Sequence, residues 1–166
     1  MAYTLDLALI PRTLECAPSV ELHQSFPSEI QAISPFVNHL MLFIAKSRKL
    51  DGTEIDIEIA LREALANAIV HGNRENPHKR VYVTCRCSSA GEVSITVQDQ
   101  GQGFESGTVP DPTAPENRLR SSGRGIYVMK TLMDDVLFEQ GGTVVHMHKK
   151  FNTGSAAERK PEDAET

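Results

Sequence analysis

The 166-residue chain contains no tryptophan, only 5% aromatic residues and just three cysteines. With so few rings, a core has to be assembled from aliphatic side chains. Cys85 and Cys87 alternate along one segment and Cys16 lies far away. That odd, scattered set is no disulfide framework and reads as reduced thiols in a cytoplasm. No apolar run is long enough to span a bilayer. The opening MAYTLDLALIPR has a short apolar patch but neither a basic n-region nor a small-residue cleavage site, so no signal peptide is expected. An excess of positive charge is also lacking: the net charge is -5, which argues against a direct nucleic-acid binder. There is no GxxxxGK[ST] phosphate loop and no internal repeat. What remains is 40% hydrophobic and 23% charged residues, in a length suited to one domain with a real core.

The pattern along the chain predicts alternating element types. VELHQSF (20–26) alternates as a strand does. Residues 29–47 carry Ile30, Ile33, Val37, Leu40, Met41 and Ile44 at helical spacing, with Pro35 in the first turns able to shift the start. Thr53 is the expected N-cap of a second helix over 54–72. Ile55, Ile59, Ala60, Leu65, Ala68 and Ile69 are expected to pack inward, and Gly72 to end the helix. NRENPHK (73–79) reads as a loop. Strands over 80–88 and 92–99 are joined by a turn at Ala90-Gly91. A long irregular stretch, 101–125, precedes a helix over 126–133. A final hairpin turns at Gly141-Gly142. This order predicts an α+β fold, a two-layer sandwich with a mixed, mostly antiparallel sheet and helices on one face.

Three stretches carry residues suited to chemistry. Glu63 and Asn67 are one turn apart on one helix face, with Arg62 and His71 near it. Asn is a poor helix-interior residue, and here it sits among small Ala residues that leave room for a ligand. A carboxylate can act as a general base, and a side-chain amide oxygen can ligate Mg²⁺. DQGQG (99–103) ends a strand: Asp99 can accept a hydrogen bond from an exocyclic amine, and Gly101 and Gly103 permit close backbone approach. SSGRGIYVMK (121–130) places a small-residue turn before a helix whose first N–H groups can bind phosphate. Each stretch also has an ordinary reading: a solvated helix face, a hairpin turn, a helix entry.

Taken together and in order, Glu63-x3-Asn67, Asp99-x-Gly101-x-Gly103, Gly123-Arg124-Gly125 and Gly142-Thr143 resemble the GHKL ATPase superfamily. Within it, EALANAIVHGN, DQGQGF and GRGIYVMKTLMDDV most resemble the anti-sigma factor serine-protein kinases of bacterial partner-switching systems. The resemblance covers about residues 18 to 151. It implies that Asn67 holds Mg²⁺ against the phosphates of ATP and that Glu63 takes the proton from a substrate hydroxyl. Asp99 would bind the adenine amino group in a pocket shaped by Gly101 and Gly103, supported by Thr143. Ser122, Gly123, Arg124, Gly125 and Ile126 would line the nucleotide's phosphate end. Histidine kinases need a dimerisation helix pair, and the gyrase-like, mismatch-repair and chaperone ATPases need a further coupling domain. A free-standing domain that carries Glu63 fits a protein-serine kinase best.

The expectation is therefore a cytoplasmic ATP-dependent protein serine/threonine kinase and anti-sigma factor. It would phosphorylate a STAS-type antagonist, sequester a sigma factor and form a homodimer, without touching a membrane. The alternative is a nucleotide-binding regulatory module of the same fold with little or no kinase turnover. The expected layout is a leader over 1–18, the kinase domain over 19–151 with an ATP lid at about 104–122, and a polar tail over 152–166. Arg118 and Arg120 of the lid are expected to reach the phosphates or the partner, or else to face solvent. His146 and His148 share a strand face and read as a surface pair. Cys85 and Cys87 read as packing thiols, and His71 as an ordinary helix-end residue.

Overall fold

The computed structural model describes residues 18–47, 52–103 and 124–151. The expected lid and tail, nearly all of the leader, and Arg118, Arg120 and Cys16 lie outside the described residues. The strands are β1 (Ser19–Pro27), β2 (Arg80–Ser88), β3 (Glu92–Gln98), β4 (Asp135–Glu139) and β5 (Val144–Lys150). They form one sheet in the order β1-β2-β3-β5-β4, and each neighbouring pair is antiparallel. The sheet expected as mixed thus has no parallel neighbours among the described residues. β3 and β4 run the same way but are separated by β5. The helices are α1 (Ile33–Ser47), α2 (Glu54–Ala66) and α3 (Arg124–Leu132). A short 3₁₀ turn, Ile30–Ala32, precedes α1, which leaves Pro35 in its first turn, where a missing N–H does no harm.

Alternation in the strands sends one row of side chains towards the helices. Val81, Val83, Cys85 and Cys87 of β2 are buried there with Val93, Ile95 and Val97 of β3 and Val145 and Met147 of β5. The thiols of Cys85 and Cys87 are packing groups, as expected. The outer row is mostly polar, with Tyr82 and Leu137 exposed on it. His146 stands on that face, half-exposed, between the Thr96 hydroxyl at 2.9 Å and Glu139 at 3.2 Å. His148 lies 4.0 Å from Glu92 on the same face.

The helix layer contributes Val37, Leu40 and Ile44 from α1 and Ile57, Ala60, Leu61, Ala64 and Leu65 from α2. Each fully buried Leu or Ile here is worth roughly 1.5–3 kcal/mol of hydrophobic stabilisation. Two expectations fail on α2. Ile55 and Ile59 point to solvent, 61% and 41% exposed, while Ile57 and Leu61 are buried. The helix start alternates isoleucine with acidic residues (EIDIEI), which spreads Ile55, Ile57 and Ile59 over several faces, so periodicity did not single out the core stripe. Thr53 precedes the helix with αR backbone angles and makes no side-chain capping bond. In its place the Glu54 carboxylate accepts the Gly52 N–H at 2.8 Å, and Glu54 and Asp56 put negative charge in the first turn.

A third difference matters more for the site. The single helix expected over 54–72 changes winding at Asn67, and Asn67–Gly72 is a π-helical segment. Such segments are rare and concentrate at functional sites. Gly72 lacks the left-handed angles of a helix-ending glycine. The positive φ values fall on Arg74 (57°) and Glu75 (53°), where the chain turns away.

Candidate functional site

The π segment is the spine of the site. Its first residue, Asn67, lies one turn beyond Glu63, and both side chains are half-buried. Opposite them is the start of α3. A Cβ built on Gly125 would lie 2.7 Å from Glu63 Oε2 and 3.3 Å from Asn67 Nδ2. Only a glycine therefore lets the α3 backbone come this close to both polar groups without moving them. Arg124 is exposed at the first residue of α3, a nine-residue helix whose opening N–H groups carry partial positive charge. Ile126 turns its side chain partly into the core, so its backbone is the part available at this end. Ser122 and Gly123 lie outside the described residues. Arg62 does not join this group: its guanidinium bonds Glu58 at 2.8 Å and the Ser34 hydroxyl of α1 at 3.2 Å. His71 is exposed on the π segment.

The other end of the spine receives Asp99. A Cβ on Gly72 would sit 2.4 Å from the Asp99 carboxyl carbon, so the missing side chain is what makes room for this carboxylate. Asp99 Oδ1 accepts the Gly101 N–H at 2.7 Å, and the Asp99 N–H donates to the Thr143 carbonyl at 3.0 Å. Half-burial pushes the Asp99 carboxyl above its ordinary value, against the opposing pulls of the Gly101 N–H and the Lys79 charge. Gly101 packs on Gly72, where a Cβ would meet the Gly72 carbonyl oxygen at 2.3 Å. A Cβ on Gly103, which has φ +76°, would clash with the Gly141 carbonyl oxygen and lie close to the Thr143 methyl. The Thr143 hydroxyl donates to the Gln140 carbonyl at 3.1 Å.

The structure thus brings Glu63, Asn67 and Gly125 together at one end, and Asp99, Gly101, Gly103 and Thr143 at the other. Sequence reasoning missed two members. Gly72 was read as a helix stop rather than as clearance for Asp99. Asn73 was passed over within a loop, yet it is only 1% exposed. Its Oδ1 accepts the Gln100 N–H at 2.8 Å, and its Nδ2 donates to the Arg80 carbonyl at 3.0 Å. A polar residue directly after a helix-ending glycine was the available signal.

Residues 26–149 match the family described as "Histidine kinase-like ATPase domain". The chain belongs to that family. It is also similar to proteins named anti-sigma F factor. It is 37% identical to that of Heyndrickxia coagulans over 99 residues, covering 55% of this chain and 66% of the relative. It is 39% identical to that of Clostridium botulinum (strain Eklund 17B / Type B) over 106 residues, covering 58% and 71%. With Clostridium perfringens (strain SM101 / Type A) the figures are 40% over 105 residues, 59% and 73%. The family match spans both ends of the site, from Glu63 to Thr143. No helix among the described residues is long and apolar enough to cross a membrane.

Proposed function

We propose that the chain is an ATP-dependent protein serine/threonine kinase and anti-sigma factor. It phosphorylates a Ser or Thr of a STAS-type antagonist and sequesters a sigma factor, acting in the cytoplasm as a homodimer. The observation that carries this reading is the meeting of Glu63, Asn67 and the glycine-opened start of α3. Family membership supports ATP as the nucleotide, and the names of the relatives support a sigma factor as partner.

The residues fit ATP-Mg²⁺. Gly125 leaves open a cradle that a Cβ would fill, edged by a carboxylate and an amide. Hard cations favour such oxygen donors. Asn67 would hold the cation through its amide oxygen, and the α3 N–H groups with Arg124 would face the phosphates. At the other end Asp99 would accept a hydrogen bond from the adenine amine, with Gly101, Gly103 and Thr143 around it. Bound ATP-Mg²⁺ supplies the transferable phosphoryl group. Glu63 accepts the proton of the incoming Ser or Thr hydroxyl as that oxygen bonds to phosphorus, and the bond to the leaving diphosphate breaks. The rest of the acceleration comes from positioning and charge neutralisation, the main demands of phosphoryl transfer.

The test mixes the protein with a candidate STAS antagonist and γ-labelled ATP. Label is expected on the antagonist. Intact ATP binding with no transfer would sink the kinase reading and leave a nucleotide-responsive binding module. Sedimentation of the purified chain tests the homodimer, and a monomer at micromolar concentration would contradict it.

A further inference from the structure

Asn73 supports the base end of the nucleotide site through the turn that carries Asp99. The π segment closes with the Asn73 N–H donating to the Ala68 carbonyl at 2.8 Å. The chain then reverses through Arg74 and Glu75, both left-handed, and the Glu75 N–H donates to the Ile69 carbonyl at 2.8 Å. Two successive non-glycine residues in this region cost backbone energy and persist only where surrounding contacts hold them. The reversal turns the Asn73 side chain inward.

There its amide joins two strands of backbone that have no covalent proximity. Oδ1 takes the Gln100 N–H and Nδ2 gives to the Arg80 carbonyl. Gln100 answers by accepting the Arg80 N–H on its own side-chain oxygen at 2.8 Å. The first residue of β2 and the turn that follows β3 are therefore tied together through one buried side chain. Asp99 is the residue immediately before Gln100, and Gly101 immediately after it donates to the Asp99 carboxylate. Fixing the Gln100 N–H fixes the angle at which that carboxylate leaves the turn.

We infer that Asn73 is a positioning residue for base selection. It acts through Gln100 to aim Asp99, so that the site prefers a purine bearing an exocyclic amine over one bearing an oxo group at the same position. The inference rests on the nucleotide-binding reading of the site. A carboxylate accepts from an amine and repels a carbonyl oxygen, so the preference depends on how well Asp99 is aimed. Removing the Asn73 amide leaves a backbone donor and a backbone acceptor without their partner and lets the turn relax.

The experiment measures Mg²⁺-dependent affinity for ATP, GTP and inorganic tripolyphosphate in the full chain, Asn73→Ala and Gln100→Ala. Asn73→Ala is expected to weaken ATP by about tenfold, narrow the ATP/GTP ratio by a similar factor and leave tripolyphosphate unchanged. Gln100→Ala, altered at an exposed residue, should shift the ATP/GTP ratio the same way by a smaller factor. It also carries the test should Asn73→Ala fail to fold. Exchange of the Gln100 amide should quicken in Asn73→Ala. An unchanged ATP/GTP ratio in both variants, or equal losses for ATP and tripolyphosphate, would overturn the inference while leaving the nucleotide site standing. Absence of ATP binding by the wild-type chain would overturn the nucleotide reading itself, and this inference with it.

Discussion

The Asp99 end of the site is held by hydrogen bonds to the main chain, whereas the Glu63 end is set by helix register and by the packing of α3 on α2. Around Asp99, the Thr143 carbonyl, the Gly101 N–H and the Asn73–Gln100 bond fix one turn, and Gly72 and Gly101 touch through main-chain atoms. Around Glu63, the neighbours of Gly125 are the ends of two flexible side chains, Glu63 and Asn67. Recognition of a rigid planar base is served by a stiff, pre-aimed acceptor. Chemistry on a mobile protein hydroxyl is served by side chains that can adjust as the partner arrives. On the proposed function, affinity and selectivity belong to the Asp99 end and turnover to the Glu63 end.

A methyl group placed at the soft end should break the chemistry and spare the fold. Gly125→Ala would push Glu63 Oε2 and Asn67 aside, and misplacement of about 1 Å can cost about 100-fold in rate. Label transfer should fall by that order while the melting temperature barely moves. The same methyl at the stiff end should do the reverse. Gly101→Ala meets a backbone oxygen that cannot rotate away, so it should cost about 1–3 kcal/mol of stability, read by urea denaturation. A Gly101→Ala protein as stable as wild type would erase the contrast.

The smallest effect concerns charge. Burial raises the folded pKa of Asp99 above its unfolded value, so ionising it costs more in the folded chain. The penalty is absent below the ordinary aspartate value of 3.8, where both states hold the proton, and it grows as pH rises through the folded value. Asp99→Asn without nucleotide should therefore melt slightly higher than wild type at neutral pH, with the gap closing in acid. It should also bind ATP more weakly. A gap that widens in acid would contradict the sign.

Much of this arrangement was legible in the sequence, for physical reasons. Glu63, Asn67, Asp99 and the glycines stand out because they break local rules: an Asn inside a helix, a carboxylate beside two glycines, a glycine pair at a helix entry. The strands were legible because one face is buried and the other polar, which imposes a clean alternation. The inward face of α2 was not, since Ile55, Ile57 and Ile59 offer three apolar choices and only packing selects Ile57. The π segment carries no signature in the sequence pattern, which reads as one continuous helix over 54–72. Asn73 looked like loop because its partners, Arg80 at the start of β2 and Gln100 in the turn after β3, come from separate segments.

The central claim is that Glu63 serves the transfer step and not the binding of ATP. It is tested by measuring, on one sample of Glu63→Ala, both the Kd for ATP-Mg²⁺ and the rate of label transfer to the antagonist. The account predicts an unchanged Kd and a rate lower by about 10²–10⁴-fold, the usual contribution of a general base. Transfer at the wild-type rate would contradict it.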